Sequence, residues 1–545
     1  MNNTKPEKIE DPRSLLSHLQ SMYKEIRRKG DLRGQGVGIF IFGKGQGGQA
    51  VLQHLRKNIS SDNPQYRVKG FFDNSVFKTG TTINGIPVYN PQRGMVGVED
   101  IVIIASLIHS YDMEVQLLEM GVEADKITLP GNWLGEILSS MQEDQSSVSS
   151  SSTAKPTIEQ YEQYIKSMFK SASSKSDEFV EYDENFHVDL QEGDVKLIAF
   201  YLPQFHPISE NDEWWGRGFT EWTNVTKAAP QFLGHHQPQL PIDTAFYDLR
   251  NIEVMKRQIE LARKYGIGGF CFHHYWFGGK RLLETPVNNF LAHEELDMPF
   301  CLCWANENWT RRWDGLENEI LIAQKHSPAD DLAFIEDAAR HFRDRRYIRI
   351  NGKPLFIVYR PLLFPDINET VKHWRDYCRL NGIGEIFIAG VNAFAFNNPQ
   401  MCGFDAVLEF PPNNFFSNDI TEQFSTMNPS FTGRIYDYSC CVERSNNLKK
   451  DDSITFKGVM PGWDNTARKP NNPAIFYGSS PQIYQKWLEG VIRSTKENLS
   501  SAHQIVFINA WNEWAEGAHL EPDRKYGYGN LQATANAIIN SRKSY

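Results

Sequence analysis

The segment "QIVFINAWNEWAEG", residues 504–517, changes from apolar to polar within a few positions. The run from Ile505 to Ile508 reads as a buried strand, and Asn, Trp and Glu side chains follow it directly. This change is typical of a strand in a (β/α)8 barrel, because the strand interior belongs to the core and its carboxyl end opens on the active-site face. The segment therefore predicts the last strand of such a barrel.

Seven further apolar runs after residue 194 are each followed by a polar or aromatic cluster. They are "KLIAFYLPQFHP", "GIGGFCFHHYWF", "PFCLCWANENWTRRWDG", "PLFIVYRP", "EIFIAGVNAF", "FDAVLEFPPNN" and "FKGVMPGWDNT". Helical patterns separate several of them, and the clearest is "NIEVMKRQIELARKYG", residues 251–266, which has one apolar face and a closing glycine. The pattern predicts an α/β protein with a C-terminal (β/α)8 barrel with insertions over residues 194–545.

A glycine-rich turn indicates a separate N-terminal domain over residues 1–138. Residues 36–58 read as a strand, a G-x-G-x-x-G turn through Gly43, Gly45 and Gly48, and a helix from about residue 49. A second strand ends at Asp73. This order is typical of a Rossmann-like domain, in which the turn binds phosphate and the acidic residue binds a ribose hydroxyl. The domain is predicted to bind a nucleotide or nucleotide-sugar, and the alternative is a docking module without a ligand.

The two domains are joined by a segment of different composition. Residues 139–156, "SSMQEDQSSVSSSSTAKP", are rich in serine and almost free of apolar groups, and "TIEQYEQYIKSMFKS" after them has the pattern of one amphipathic helix. Residues 139–193 are therefore predicted to be a flexible linker and a connecting helix.

Composition excludes several classes of function. The 545 residues are 40% hydrophobic and 23% charged, as in a soluble globular protein of two or three domains. A net charge of −10 argues against a nucleic-acid or anionic-membrane surface. No apolar run approaches the roughly 20 residues of a membrane helix, and the N-terminus lacks an apolar signal core. Seven cysteines without paired C-x-x-C motifs favour reduced thiols, so we expect a cytoplasmic protein.

The residues at the predicted strand ends have the chemistry of a sugar-binding site. Aromatic rings can stack on the apolar C–H faces of a pyranose, and amides, imidazoles and carboxylates can bind its hydroxyl groups. The candidate substrate-binding residues are Tyr201, Gln204, His206, Trp222, His273, His274, Tyr275, Trp304, Asn306, Glu307, Glu409, Trp463, Asp464, Asn512 and Trp514.

Two glutamates after the last predicted strand are the candidate catalytic residues. Cleavage of a glycosidic bond generally uses two carboxyl groups, and Glu513 and Glu516 form the best pair. Their spacing of three brings them to one face only if the chain leaves the strand in a helical turn. Two close carboxylates should have separated pKa values, so that one is protonated and can act as the acid. The alternative is a solvated pair on a loop; Glu221 and Glu521 are less favoured carboxylates.

With these residues identified, the large domain resembles the WbsX-type family found in surface-polysaccharide loci. The resemblance rests on "YLPQFHPISENDEWWGRGFTEWTNV", "QPQLP", "FCFHHYWF", "WANENWTRRWDG", "GWDNTAR" and "AWNEWAEGAHLEPD" and covers nearly all of residues 196–545. The family is labelled glycosyltransferase, and its barrel is similar to the endo-α-mannosidases of glycoside hydrolase family 99. Their N-E-W-x-E-G motif falls on Asn512, Glu513, Trp514, Glu516 and Gly517, with Ala515 where those enzymes usually have His.

The resemblance implies a mechanism for the pair. Glu513 would deprotonate the 2-hydroxyl of the sugar, which attacks the anomeric carbon to form an epoxide, while Glu516 protonates the leaving oxygen. Water then opens the epoxide with retention of configuration. The N-terminal domain resembles the nucleotide-binding half of PglD-type sugar acyltransferases through "GFFDN" and "INGIPVYN".

These observations favour a carbohydrate-active enzyme of surface-polysaccharide metabolism, specifically a retaining glycoside hydrolase acting on an oligosaccharide or polysaccharide. The barrel is expected to need no cofactor, and no metal is predicted because no cluster has metal-ligand spacing. Proteins of surface-glycan biosynthesis are the candidate partners. One alternative is a glycosyltransferase of O-antigen or capsule synthesis, although the chain lacks the D-x-D of many metal-dependent transferases. Another is a glycan-binding module without catalysis.

Overall fold

A computed structural model gives the fold and divides the chain into two compact units, residues 1–152 and 153–545. Each unit is described by itself. The structure describes residues 12–29, 37–43, 46–58, 65–72, 82–97, 99–105, 110–129, 156–173, 175–311, 316–393, 396–415, 417–446 and 453–542.

The N-terminal unit is a mixed sheet with helices. Its sheet has the strand order β3-β4-β2-β1-β5-β6, in which only the β3–β4 pair is antiparallel. The elements are α1 (Pro12–Lys29), β1 (Val37–Phe42), α2 (Gln46–Asn58), β2 (Tyr66–Phe72), β3 (Thr82–Ile83), β4 (Ile86–Tyr89), β5 (Asp100–Ile104), α3 (Ser110–Glu119) and β6 (Ile127–Thr128).

The predicted glycine turn lies between β1 and α2, which begins three residues before its predicted start. Gly43 has a φ of +106°, and a Cβ on Gly48 would lie only 1.7 Å from the Gly43 carbonyl oxygen. The positive φ of Gly43 and the close approach of the backbone at Gly48 thus explain both glycines without a ligand. Gly45 and Asp73 lie outside the described residues, and nucleotide binding stays a prediction.

The C-terminal unit contains the predicted barrel. Eight parallel strands pair in the order β7-β8-β10-β14-β15-β16-β18-β20, and β20 pairs with β7 to close the ring. The barrel strands are β7 (Lys196–Tyr201), β8 (Gly269–Phe277), β10 (Phe300–Trp304), β14 (Lys353–Val358), β15 (Phe387–Val391), β16 (Ala406–Leu408), β18 (Thr455–Val459) and β20 (Ile505–Ile508). Each coincides with one of the eight predicted runs, although β14 and β18 begin one residue earlier, so the prediction of a (β/α)8 barrel is confirmed.

Helices and short strands surround the barrel. The helices are α4 (Ile158–Ser173), α5 (Ser209–Trp215), α6 (Glu221–Lys227), α7 (Ile252–Lys264), α8 (Thr285–Ala292), α9 (Pro328–Phe342), α10 (Ile367–Leu380), α11 (Cys440–Asn446), α12 (Pro481–Asn498) and α13 (Gly529–Arg542). The other strands are β9 (Lys280–Leu282), β11 (Trp309–Arg311), β12 (Leu316–Ile322), β13 (Arg349–Ile350), β17 (Arg434–Asp437), β19 (Ala474–Tyr477), β21 (Asn512–Glu513) and β22 (Ala518–His519). Within the described ranges, no helix is both long and apolar enough to cross a membrane.

The alternation of side chains along β8 decides which polar residues face the barrel interior. His274 packs edge-on against Phe334 of α9, so it points outward to the helices. His273 stacks on Phe200 at a centroid distance of 5.5 Å and also contacts Phe410. Because successive residues of a strand point to opposite faces, His273 and Tyr275 lie on the inner side.

Candidate active site

The two catalytic candidates follow β20 in a tight turn. After β21 the chain forms a 3-10 turn over Trp514–Glu516, and Gly517 ends the turn with a φ of +60°. This is the helical turn that convergence of the two glutamates requires, because residues three apart share a face only in helical geometry.

Arg468 joins both glutamates to a third carboxylate. Its Nη1 donates to Glu516 Oε1 at 2.5 Å, and its Nη2 donates to Glu513 Oε2 at 3.0 Å. Its Nε and Nη2 donate to Glu221 Oε1 at 3.2 and 2.8 Å. We call these four residues the Arg468 cluster. A single guanidinium contacts three carboxylates, so it fixes the two candidates side by side.

Local structure places Arg468 and Glu221 precisely. A 3-10 helix over Asn465–Ala467 directly precedes Arg468, and Asp464 caps it by accepting from the Thr466 amide at 3.0 Å. Glu221 begins α6, and its backbone amide donates to the Gln204 carbonyl at 3.2 Å. The cluster therefore combines the loops that follow β7, β18 and β20.

The cluster is buried to different degrees. The exposed fraction of the side chain is 0% for Glu221, 8% for Glu513 and 13% for Arg468, but 20% for Glu516. Burial raises the pKa of Glu513 to about 8, since lost hydration outweighs the attraction of Arg468 and the other two carboxylates add to the shift. Glu513 is therefore mostly protonated at neutral pH, and Glu516 is the most accessible carboxylate of the cluster.

Three of the predicted substrate-binding residues lie beside this cluster. Burial, then the charge of Arg468, lowers the pKa of His273 to about 4. Burial and the nearby Glu513 raise the pKa of Tyr275. Gln204 Nε2 donates to the Tyr275 hydroxyl at 3.4 Å. A neutral imidazole, a phenol and an amide thus adjoin the carboxylate pair, as a site for sugar hydroxyls requires.

Three other aromatic candidates face the helices instead. Tyr201 donates to Gln258 of α7 at 2.6 Å, and His274 packs on α9. Trp304 stacks on Phe334 of α9 at a centroid distance of 3.9 Å. These three side chains belong to the layer between strands and helices rather than to the barrel mouth, because they occupy the outward positions of their strands.

The candidate asparagines, Asn512 and Asn306, form hydrogen bonds with the backbone of neighbouring loops. Asn512 accepts from the Leu202 amide at 2.7 Å and donates to the Leu202 carbonyl at 3.0 Å. Asn306 makes the same pair of bonds with the backbone of Arg360, at 2.7 and 2.9 Å. Both side chains are buried, and both their oxygen and their nitrogen atoms bond to the backbone of a neighbouring loop, so they hold strand-end loops in place.

The candidate tryptophans Trp222 and Trp514 also have structural partners. The Trp222 indole donates to the Tyr247 carbonyl at 2.9 Å, and Trp514 stacks on His519 at 3.8 Å. The Trp514 indole donates to Glu521 at 2.7 Å. Burial raises the pKa of Glu521 to about 7 despite these donors. The Tyr247 hydroxyl and Gln258 Nε2 also donate to Glu521, at 2.8 and 2.7 Å, so Glu521 is the centre of a buried hydrogen-bond network.

The remaining carboxylate candidates are paired elsewhere. Glu307 contacts Arg360 at 2.5 Å, and Glu409 contacts Lys457 at 3.3 Å, a buried ion pair of two neighbouring strands. His206 is enclosed, with 1% of its surface exposed, and burial lowers its pKa. Glu409 is therefore held at the wall of the barrel by Lys457, and removing either partner would leave an unpaired buried charge.

Trp463 and Asp464 line a cavity of about 410 Å³ at the carboxyl end of the barrel. Asp464 Oδ2 is contacted by His235 Nε2 and Gln237 Nε2, each at 2.6 Å. Its pKa is lowered, because His235 and these hydrogen bonds outweigh burial. In the part of the chain that the structure describes, no group of three or more His, Cys, Asp or Glu side chains could hold a metal ion.

Two residues of the cluster were not among the favoured sequence candidates. Arg468 lies in "GWDNTAR", nine residues after the end of β18, and Glu221 lies in "GFTEWTN". Its position in the sequence could have identified Arg468, because it lies in a loop after a predicted strand while glutamates follow several of the other strands. A cation among such carboxylates is expected where they must be held close together.

The site thus defines a (β/α)8 barrel protein with a carboxylate pair at its mouth. A family model described as Glycosyltransferase WbsX matches residues 197–534. This match spans more than half of the chain, so the chain belongs to the WbsX family.

Curated relatives extend beyond this chain. The uncharacterised protein WxcX from two strains of Xanthomonas campestris pv. campestris is 50% identical over 345 residues, which are 63% of this chain and 50% of the relative. The chain therefore spans about half the length of the curated relatives it matches.

Two solved structures are similar to this chain, at low identity and low TM-score. A glycoside hydrolase-like protein has a TM-score of 0.43 and 15% identity, covering 66% of this chain and 98% of its own. A family 99 endo-α-mannosidase from Bacteroides thetaiotaomicron has a TM-score of 0.38 and 15% identity, covering 64% of this chain and 98% of its own. At these values no statement about the reaction rests on the likeness.

Proposed function

We propose that the barrel cleaves glycosidic bonds of an oligosaccharide or polysaccharide of surface-glycan metabolism, with retention of configuration. The observation that carries this proposal is the contact of one guanidinium, that of Arg468, with both Glu513 and Glu516. Two adjacent carboxyl groups at the mouth of a barrel are what acid–base cleavage of a glycoside uses.

The two glutamates have different surroundings, which support different roles. We propose Glu513 as the base that takes the proton of the sugar 2-hydroxyl. A hydroxyl is a weak acid, so a carboxylate with a raised pKa is the better acceptor for its proton. We propose Glu516 as the proton donor to the leaving oxygen, because its greater exposure allows the glycosidic oxygen to reach it. The raised pKa of Glu513, taken alone, favours the reverse roles, and Glu513 as the acid is therefore the alternative for this pair.

The pH dependence of kcat/KM tests the role of Glu513. A base must be deprotonated in the free enzyme, and the fraction of deprotonated Glu513 rises about tenfold for each pH unit below its pKa. With that pKa at about 8, we expect kcat/KM for an activated aryl glycoside, whose leaving group departs without a proton from Glu516, to rise with pH and to level off near pH 8. A decline of kcat/KM through the same region would instead make Glu513 the acid and contradict the assignment.

The reaction itself is tested with the purified protein and the surface polysaccharide of its source organism. We expect size-exclusion chromatography to show shortened glycan without any added nucleotide-sugar. The family description favours one alternative, a glycosyltransferase. That alternative predicts no shortening, but growth of an acceptor glycan when nucleotide-sugars are supplied.

A further inference from the structure

The cavity at Trp463 lies beside the Arg468 cluster and has no role in the proposed reaction. Gly517, which directly follows Glu516, is part of its lining, and the Asp464 amide donates to the Glu516 carbonyl at 2.6 Å. Tyr477 and Tyr526 also line the cavity. A volume of about 410 Å³ is within the range of small-molecule sites, and aromatic walls suit the apolar face of a sugar ring.

The acidic groups of this cavity are already engaged by protein donors. Asp464 is held by His235, Gln237 and Thr466. Asp523 Oδ2 is contacted by His519 Nε2 at 3.1 Å. Asp523 Oδ1 accepts from the amides of residues 525 and 526 at 2.8 and 2.6 Å, and the third acid, Glu178, accepts from the Gln482 amide at 2.9 Å. These carboxylates therefore have little capacity left for a ligand cation.

Two other basic residues of the cavity, Lys525 and His236, differ from His235 and His519 because, within the described ranges, no carboxylate contacts them. Within the described ranges, Lys525 Nζ forms no ion pair or hydrogen bond and lies 4.4 Å from the centroid of the Tyr526 ring. Burial lowers the pKa of Lys525, outweighing the attraction of Asp523 and Glu178. Burial and the charge of Lys525 lower the pKa of His236, another lining residue, to about 4. A partly buried ammonium without a carboxylate partner favours a ligand that supplies the missing anion.

We propose that this cavity is a second carbohydrate site that binds the anionic substituent of an acidic sugar, either a carboxylate or a phosphate, through Lys525. The aromatic side chains would pack on the sugar ring, and the His236 imidazole would donate a hydrogen bond to the same substituent or to a hydroxyl group. This assignment concerns binding only and is independent of bond cleavage at Glu513 and Glu516.

Calorimetric titration of the full chain tests the proposal with three probes: methyl glucuronoside, glucose 1-phosphate and neutral methyl glucoside. We expect at least one acidic probe to bind about tenfold or more tightly than the neutral one, the effect of one charge-assisted hydrogen bond. Preference for the first or the second probe identifies the substituent as carboxylate or phosphate.

Variants locate the binding. Lys525→Gln is expected to lower the affinity for the acidic probe about tenfold. Lys525→Arg keeps the charge and should retain most of that affinity. Lys227→Gln, which removes an exposed lysine of α6, is the matched control and should bind as the wild type does. The proposal is overturned if neither acidic probe binds more tightly than methyl glucoside, or if Lys525→Gln binds the acidic probe as tightly as the wild type. If Lys525→Gln does not fold, the affinities of the wild-type protein for the acidic and neutral probes still test the proposal.

Discussion

Arg468→Met is expected to lower the free energy of unfolding at pH 7 by about 3–5 kcal/mol, the cost of removing one partner from a buried ion pair. The substitution leaves Glu221, Glu513 and Glu516 close together without the guanidinium that all three contact. Denaturant unfolding, followed by tryptophan fluorescence, measures the loss. Turnover of glycan should disappear with the same change, because the two glutamates lose their common hydrogen-bond donor.

The loss from Arg468→Met should depend on pH in a definite direction. Without the guanidinium the buried carboxylates bind protons more tightly in the folded state than in the unfolded state. The variant therefore loses stability as pH rises above the unfolded pKa of a glutamate. The difference in free energy of unfolding between the wild type and the variant should be smaller at pH 4.5 than at pH 7. Arg434→Met is the matched control, since Arg434 and its partner Asp419 are 45% and 42% exposed. Arg434→Met should lower the free energy of unfolding by at most about 1 kcal/mol. An equal loss in both variants would contradict the structural role of Arg468.

Glu516→Gln is expected to lower kcat on the cognate glycan by about 10²–10⁴-fold while the Kd for the glycan changes little. The amide keeps the shape of the side chain and removes the transferable proton. On an activated aryl glycoside of the same sugar, kcat of the variant should fall much less, because the leaving group departs without protonation. Steady-state kinetics on both substrates, with calorimetric titration of the glycan, measure these effects.

The control for Glu516→Gln is Glu253→Gln, an exposed position of α7 where no rate change is expected. Equal turnover in Glu516→Gln and the wild type would remove Glu516 from the reaction. An equal loss on glycan and aryl glycoside would contradict its assignment as the acid.

The fold was predictable because the barrel strands have a simple signal. Each of the eight parallel strands is an apolar run that ends in polar or aromatic residues, as "QIVFIN" does before "AWNEWAEG". The helix of residues 252–264 was equally clear, with Asn251 as its N-cap. The sequence of a single strand or helix is therefore enough to predict that element when its burial or its helical period is visible in its own residues.

The site was predictable only in part. The glutamate pair is visible because Glu513 and Glu516 lie in one short motif, but Arg468 lies 45 residues before Glu513, and only the closed barrel brings it there. The direction of strand-end side chains was a second obstacle. His273 and His274 are adjacent in the sequence, yet the first faces the interior and the second faces α9. Strands of a parallel barrel are buried on both faces, so their hydrophobic pattern does not reveal which face is inner.

The central claim is that the Arg468 cluster cleaves glycosidic bonds. Proton NMR of the cognate polysaccharide during incubation with the wild-type protein tests it most directly. We predict a new anomeric signal of the same configuration as the cleaved bond, appearing without nucleotide-sugar and absent with Glu516→Gln. Unchanged anomeric signals with excess wild-type protein, or a first product of inverted configuration, would contradict the account.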